Sequence, residues 1–281
     1  MKILIFGAKG QLGTELLTQF APHGIPLDLP DADISDRHTV SDIFEALAPD
    51  CAINAAAFTR VDAAEEQPAI CRRVNTLGPQ NLAEACGKLN VPLIHFSTDY
   101  VFCGSTQRTP FRETDAVAPR GVYAETKYEG EKHVATCEKH LILRTCGLYG
   151  KLGQNTPGNF VETMRRLGSE RKNLRIVADQ HCTPTWIPNL VTATRFLYEQ
   201  EAWGLYHLTN RGETTWLEFA QEIFRLCGLT PEVTPITTAE WNAPSPRPLY
   251  SVLSTEKYHA ILGAPPMPEW REALAQYLIQ N

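Results

Sequence analysis

The sequence predicts an α/β fold in which helices cover both faces of a doubly wound parallel sheet, with a smaller lobe in the C-terminal part of the chain. Two observations predict the sheet: short apolar runs alternate with helical patterns before Gly150, and a glycine-rich turn follows the first apolar run. Strands that alternate with helices pair in parallel through right-handed crossovers. A third observation predicts the lobe, because the alternation loosens after Gly150.

The elements of the first half follow from this alternation. The predicted strands are residues 2–6, 25–29, 51–54, 93–96 and 141–144. Helical patterns between them cover residues 11–21, 38–47, 76–89 and 123–138. Asp36 and Thr76 have side chains suited to cap the N-termini of two of these helices.

The second half contains fewer strands. The predicted helices are residues 159–169, 187–199, 215–227 and 268–279, and the predicted strands are residues 174–177 and 205–208. Residues 151–158 are rich in Gly, Asn and Pro and predict a loop. Residues 231–248 are rich in proline, which predicts irregular structure.

Composition excludes several classes of protein. With 281 residues the chain is long enough for a large core, and its net charge of −6 without a basic block argues against nucleic-acid binding. No apolar run approaches the roughly 20 residues that cross a bilayer, so we expect no membrane partner. The eight cysteines include no C-x-x-C pair, which predicts reduced thiols, a cytoplasmic location and no zinc site.

A glycine-rich turn, Gly7-Ala-Lys-Gly10-Gln-Leu-Gly13, connects the first predicted strand to the first predicted helix. In such turns the first glycine permits the tight turn, the second lets the backbone approach a pyrophosphate, and the third lets the helix pack against the strand. The helix N-terminus then offers free N–H groups to the phosphates. We therefore predict a Rossmann-type NAD(P)-binding domain, residues 1–150 and 183–211, and a substrate-binding lobe, residues 151–182 and 212–281.

The choice between NADPH and NADH stays open. Asp28, near the end of the second strand, would hydrogen-bond the adenosine ribose, whereas Lys9 would favour a 2′-phosphate. Asp33 and Ile34 follow at a place where they could flank the adenine. After the third strand, the small residues 55–57 would let the backbone come close to the ribose and nicotinamide.

Tyr123 and Lys127 are four residues apart on a predicted helix, so they share one face. The ammonium favours phenolate, which predicts a tyrosine pKa below its usual value of about 10. Such a phenol can donate a proton to a carbonyl oxygen that receives a hydride. Thr98 follows the fourth strand, where its hydroxyl would meet a substrate oxygen, and Asp99 beside it could hold a sugar hydroxyl.

These motifs, with further strings, resemble the extended short-chain dehydrogenase/reductases and, more narrowly, the dTDP-4-dehydrorhamnose reductases. The resemblance covers essentially the whole chain. The strings that carry it are Gly10-Gln-Leu-Gly13, Asn54-Ala-Ala-Ala-Phe-Thr-Arg-Val-Asp62, Ser97-Thr-Asp-Tyr-Val-Phe102, Tyr123 with Lys127, Arg144-Thr145, Asn159-Phe160, Asp179-Gln180 with Pro184-Thr185, Tyr206-His-Leu208 before Thr215-Trp216, and Arg247-Pro248.

The resemblance implies an NADPH- or NADH-dependent reduction at C4 of a nucleotide-linked 4-keto-6-deoxy sugar, dTDP-4-dehydro-L-rhamnose being the expected substrate. It implies that Thr98, Tyr123 and Lys127 are catalytic. The implied cofactor contacts are Gly7, Gly10, Gln11, Leu12, Gly13, Asp33, Ile34, Ala55, Ala56, Ala57, Tyr123 and Lys127. The implied nucleotide-sugar contacts are Thr98, Asp99, Tyr100, Asn159, Gln180 and Arg247. Of these, Arg247 suits the diphosphate, which a guanidinium can bind by bidentate hydrogen bonds.

Two departures from the family pattern concern the substrate side. Gly147 stands where members commonly have tryptophan, and Cys182 where glycine is usual. Two alternatives therefore remain. The protein could be a related sugar-nucleotide ketoreductase or epimerase, or a non-catalytic NADP-binding regulatory subunit. Some members place Mg²⁺ at a dimer contact, but Glu15 alone does not make a metal site. We expect a monomer or a homodimer.

Overall fold

The computed structural model describes residues 1–154, 158–170 and 173–280. Its strands are β1 (Ile3–Phe6), β2 (Gly24–Leu27), β3 (Cys51–Asn54), β4 (Leu93–Thr98), β5 (His140–Thr145), β6 (Leu148–Tyr149), β7 (Asn173–Val177), β8 (His181–Cys182), β9 (Thr185–Trp186), β10 (Gly204–His207), β11 (Thr214–Thr215) and β12 (Glu232–Ile236). Its helices are α1 (Gln11–Gln19), α2 (Arg37–Leu47), α3 (Val61–Glu66), α4 (Pro68–Arg72), α5 (Gly78–Leu89), α6 (Val122–Val134), α7 (Phe160–Glu170), α8 (Ile187–Glu199), α9 (Trp216–Cys227), α10 (Thr238–Trp241), α11 (Glu256–His259) and α12 (Trp270–Gln280).

The central sheet is parallel throughout, and its strand order is β10-β5-β4-β3-β1-β2. From β1 the chain first moves to one edge through β2 and then returns to build the other side from β3. The order therefore reverses beside β1, and a crevice opens there at the carboxyl ends of the strands. This arrangement confirms the predicted doubly wound α/β fold and places the glycine-rich turn at the crevice.

Apolar side chains form a separate core on each face of the sheet and a third in the part of the chain predicted as the lobe. Leu16 of α1 and Leu190 of α8 are fully buried on one face, while Phe44 of α2 and Leu82 of α5 lie in the core of the other. In the lobe, α7, α9 and α12 pack around Phe219 with the strand β7. Each such side chain contributes about 1.5–3 kcal/mol by leaving water. The predicted division of the chain into two domains stays a prediction.

Of the two predicted helix caps, one is confirmed and one is wrong. The Asp36 side chain accepts a hydrogen bond from the His38 backbone N–H at 2.9 Å and so caps α2. Thr76 caps nothing, because it lies inside a π-helical segment, Arg73–Leu77, that joins α4 to α5. The helical stretch instead begins at Pro68, whose ring fixes φ in the helical range.

The proline-rich stretch of residues 231–248 is less irregular than predicted, because it contains β12 and α10. Strand β12 pairs in parallel with β7 in a two-stranded sheet, so Pro235 can occupy it without breaking a central ladder. Helix α10 follows at once, capped by Thr237 and Glu240. Of the loop predicted at residues 151–158, residues 155–157 lie outside the described residues.

All eight cysteines are free, and six of them are buried. Within the described parts of the chain, no helix is long and apolar enough to cross a membrane.

Candidate active site

A cavity of about 630 Å³ opens at the crevice beside β1. It is lined by the glycine-rich turn, by the segments that follow β2 and β3, by the end of β4 and by α6. The structure brings together on its wall every residue that the sequence assigned to the cofactor: Gly7, Gly10, Gln11, Leu12, Gly13, Asp33, Ile34, Ala55, Ala56, Ala57, Tyr123 and Lys127.

The glycine-rich turn depends on glycine for its close contacts. Gly7 has φ +78°, and a Cβ there would lie 2.6 Å from the Ala56 backbone nitrogen. A Cβ on Gly13 would lie 2.1 Å from the carbonyl oxygen of Gly7. The turn can thus pack closely against both α1 and residues 55–57. The N–H groups of residues 7–10 are bonded to Leu27, Asp28 and Gly7, so it is the start of α1 that offers N–H groups at the cavity.

Two buried polar atoms on the cavity wall have no hydrogen-bond partner among the described residues: Gln11 Oε1 and Thr145 Oγ1. Buried polar atoms in native proteins nearly always have a partner, so these two indicate that the cavity receives a polar ligand. With the free start of α1, the wall fits a dinucleotide whose phosphates bind at the glycine-rich turn.

The far end of the cavity carries positive groups that the sequence reasoning missed. Arg60 and Arg73 line the wall, and Arg73 lies 3.9 Å from the carboxylate of Asp33. Lys9, the basic residue considered from the sequence, turns away and donates to the carbonyl of Leu29 at 2.9 Å. The carboxylate of Asp28 accepts the backbone N–H of Lys9 at 2.7 Å and therefore also stabilises the turn.

Lys127 lies at the inner end of the cavity, one helical turn after Tyr123 on α6. Its ammonium donates a hydrogen bond to the carbonyl of Phe96 at 2.6 Å. Burial lowers the pKa of Lys127 to about 8, and the nearby carboxylate of Glu131 opposes this shift. The lysine therefore keeps its charge at neutral pH but loses it under mildly alkaline conditions.

The predicted lowering of the Tyr123 pKa is wrong for this structure. Burial raises the pKa of Tyr123 above its usual value, and a hydrogen bond with Thr98 only partly opposes the shift. The Tyr123 side chain is partly buried on the cavity wall, and the ammonium of Lys127 is engaged with a backbone carbonyl. The phenol therefore stays protonated at neutral pH, which is the form that a proton donor requires.

Thr98, Asp99 and Tyr100 surround Tyr123 on the side away from the cofactor cavity. The rings of Tyr100 and Tyr123 meet edge to face, with centroids 5.4 Å apart. Thr98 lies beside Tyr123, donates to Asp99 at 3.1 Å and accepts the backbone N–H of Tyr100 at 3.2 Å. Asp99 is buried and accepts from Ser251 at 2.5 Å, and burial raises the pKa of its carboxyl.

The other three residues that the sequence assigned to the nucleotide sugar lie further out. Arg247 forms an ion pair with Asp62 at 2.8 Å. Gln180 donates to Thr238 at the start of α10 at 3.0 Å. Asn159 caps α7 and donates to the carbonyl of Gly150 at 3.0 Å. None of these three lines the 630 Å³ cavity, so any substrate site that they form is a neighbouring one.

The two departures from the family pattern lie between β5 and the lobe. Gly147 has φ +54°, and a Cβ there would lie 3.1 Å from the Trp216 ring and 3.2 Å from Pro184 Cα. The indole of Trp216 thus occupies the space next to Gly147. Cys182 is buried and its thiol contacts that of Cys146, which also lies against Asp99.

The carboxylate of Glu15 accepts a hydrogen bond from Gln19 at 2.7 Å. Across the ranges that the structure describes, no group of three His, Cys, Asp or Glu side chains could hold a metal ion.

The parallel sheet, the glycine-rich turn and the paired Tyr123 and Lys127 together define a nicotinamide-nucleotide-binding protein of the short-chain dehydrogenase/reductase class. The family model described as the RmlD substrate binding domain matches residues 1–281. The dTDP-4-dehydrorhamnose reductase of Salmonella typhimurium is 37% identical over 298 residues, covering 100% of this chain and 98% of the relative. The chain therefore belongs to the RmlD family of dTDP-4-dehydrorhamnose reductases.

Solved structures show the same relationship. A dTDP-4-dehydrorhamnose reductase from Clostridium acetobutylicum superposes with a TM-score of 0.94 at 40% identity, covering 100% of both chains. The enzyme from Bacillus anthracis, solved in complex with NADP, superposes with a TM-score of 0.94 at 35% identity, again covering 100% of both chains.

Proposed function

We propose that this protein is an NADPH-dependent reductase that converts dTDP-4-dehydro-L-rhamnose to dTDP-L-rhamnose. The observation that carries the proposal is that Tyr123 and Lys127 lie on the wall of a cavity that fits a dinucleotide, with Thr98 beside Tyr123. The full-length similarity to dTDP-4-dehydrorhamnose reductases supports the substrate, and the NADP complex of one relative supports NADPH over NADH.

In this proposal the cofactor would be held by the glycine-rich turn and residues 55–57, with Lys127 at the nicotinamide ribose. When bound, reduced nicotinamide supplies the hydride. Thr98 hydrogen-bonds the C4 oxygen of the sugar, and Tyr123 gives that oxygen its proton. The charge of Lys127 then stabilises the phenolate that remains on Tyr123 until solvent returns a proton. Asp99, Tyr100, Asn159, Gln180 and Arg247 would hold the nucleotide sugar.

Gly147 and Cys182 favour one alternative, a related ketoreductase or epimerase with another sugar nucleotide as substrate. Both lie near the groups that would contact the sugar, since Cys182 lies against Cys146, which in turn lies against Asp99. A non-catalytic NADP-binding regulatory subunit is less well supported, since Thr98, Tyr123 and Lys127 are all present and adjacent.

The test is a spectrophotometric assay of NADPH and NADH oxidation with a panel of nucleotide-linked 4-keto-6-deoxy sugars. We expect the highest kcat/KM for the dTDP-linked 4-dehydro-L-rhamnose with NADPH. A higher kcat/KM for another sugar nucleotide would support the alternative substrate. Binding of NADPH with no oxidation of it by any member of the panel would support the regulatory subunit.

We further propose that the protein acts in the cytoplasm as a monomer or a homodimer. The eight free cysteines support a reducing compartment, because buried thiols persist there unpaired. Light scattering coupled to size-exclusion chromatography would measure the oligomeric state.

A further inference from the structure

Three distant parts of the chain meet at one carboxylate oxygen, Glu65 Oε1 on α3. It accepts the backbone N–H of Val122 at 2.9 Å and the hydroxyl of Ser245 at 3.1 Å. Val122 is the first residue of α6, and Ser245 is buried in the segment of residues 245–247 that ends in Arg247. One side chain therefore joins the helix of Tyr123 to the segment that carries the predicted diphosphate-binding arginine.

The bond to Val122 supplies a cap that α6 lacks locally. Gly121 precedes the helix and offers no side-chain hydrogen bond, so the first N–H groups of α6 need a partner from elsewhere. A carboxylate at a helix N-terminus is favoured both by the hydrogen bond and by the helix dipole. Because Tyr123 is the next residue, the position of its phenol depends on how this end of α6 is held.

The bond to Ser245 is part of a second attachment, in which Asp62 also participates. Asp62 accepts from the backbone N–H of Ser245 at 3.3 Å and pairs with the guanidinium of Arg247 at 2.8 Å. The guanidinium also lies 5.3 Å from the centre of the Trp241 ring and donates to the Ser245 carbonyl at 3.1 Å. These contacts fix Arg247, whose side chain is only 8% exposed, relative to α3.

The place where Glu65, the start of α6 and residues 245–247 meet is closely packed. Gly121 has φ +91°, and a Cβ there would lie 2.9 Å from Glu65 Oε1, 3.0 Å from Pro246 Cδ and 3.3 Å from Ser245 Oγ. Gly121, Glu65 and residues 245–246 are therefore packed so closely that a side chain at position 121 would not fit between them.

We infer that Glu65 is a positioning residue that holds the proton donor Tyr123 in register with the site of the nucleotide-sugar diphosphate. This inference rests on the proposed reductase function. A substrate bound through Arg247 would reach Tyr123 at the correct distance only while Glu65 holds both segments. Misplacement by about 1 Å can cost 10²-fold in rate, so loss of the link should be visible in turnover.

Three variants separate the two attachments. Glu65→Ala removes both hydrogen bonds, and we expect it to lower kcat by about tenfold or more and to raise the KM of the nucleotide sugar. Ser245→Ala removes only the second bond, so it should raise that KM and leave kcat near that of the parent. Glu65→Gln keeps an oxygen that accepts both bonds and should restore most of both parameters. Glu66→Ala, on the exposed neighbour in α3, is the matched control and should change neither.

Two binding measurements make the outcome independent of turnover. Calorimetry with dTDP should show weaker binding to Glu65→Ala and Ser245→Ala, while the Kd for NADPH stays at the parent value in both. The inference would be overturned if folded Glu65→Ala had the kcat and KM of the parent. It would also be overturned if Glu65→Ala lost affinity for dTDP and NADPH equally. If the parent itself reduces no 4-keto sugar nucleotide, the proposed function fails instead, whereas the dTDP results still decide whether Glu65 positions residues 245–247.

Discussion

At the scale of single residues, the surroundings of Tyr123 and Lys127 give the two groups opposite protonation behaviour. Burial raises the pKa of Tyr123 and lowers that of Lys127, because it disfavours the charged form of each. At neutral pH the tyrosine is therefore a protonated acid and the lysine a cation. As the pH rises, Lys127 therefore loses its proton before Tyr123 does.

We predict that affinity for NADPH decreases as the pH rises through about 8, since Lys127, with a pKa of about 8, then loses the charge that would bind the ribose. Calorimetric Kd values from about pH 7 to about pH 9.5 would measure this. The Lys127→Met variant should bind weakly at every pH in this range. A parent Kd that stays constant up to the highest pH would contradict the assignment.

Gly147 offers a second test at the residue scale. Gly147→Ala should destabilise the fold by about 1–3 kcal/mol, because its backbone is left-handed and the new Cβ would meet the Trp216 ring at 3.1 Å. Gly228→Ala is the matched control, since φ is +67° there and no atom lies within 4 Å of the new Cβ. Urea unfolding should show the larger loss for Gly147→Ala. Equal losses would mean that Trp216 does not exclude a side chain at this position.

At the scale of elements, the glycine-rich turn and α1 line the part of the cavity where we propose that the phosphates bind. Gly10 has an extended backbone, with φ −75° and ψ 167°, which a branched residue can adopt. A Cβ on Gly10 would approach only the carbonyl oxygen of Gly7, at 3.3 Å. Substitution of Gly10 should therefore affect ligand binding more than folding.

We predict that Gly10→Val raises the Kd for NADPH by more than about tenfold, the equivalent of 1.4 kcal/mol, because the side chain would occupy the space of the pyrophosphate. Gly87→Ala in α5, where no atom lies within 4 Å of the new Cβ, is the control. Both variants should unfold cooperatively and retain dTDP binding. An unchanged Kd for NADPH in Gly10→Val would mean that the phosphates do not bind at this turn.

The elements also show what sequence can and cannot predict. The strands of the sheet were predictable because short apolar runs are a local sequence signal. The glycine-rich turn was predictable because the spacing of its glycines is also a local signal. Helix α3 was missed, since six residues give too short a periodic pattern. Strand β12 was missed because its proline argued against a strand, and only its pairing with β7 explains it.

At the scale of the whole molecule, the gathering of the residues around one cavity was predictable residue by residue, whereas the attachment of residues 245–247 was not. The wall residues lie within recognisable strings near strand ends. The contacts of Glu65 and Asp62 with Ser245 join residues about 180 positions apart. Contacts between residues so distant in the sequence cannot be predicted from local sequence patterns. Arg73 was missed for a similar reason, since only the folded path of α3 and α4 brings it to the cavity, whereas Arg60 lies in a recognised string but was given no role.

The central claim is that the fold brings a nicotinamide site and a nucleotide-sugar site together at one proton donor, Tyr123. The measurement that tests it most directly is the turnover of Tyr123→Phe with NADPH and the dTDP-linked 4-keto sugar, alongside the Kd for each ligand. We predict that kcat falls by about 10²-fold or more while both ligands still bind, as expected when only a general acid is removed. Turnover at the parent rate by a folded Tyr123→Phe variant would contradict the account.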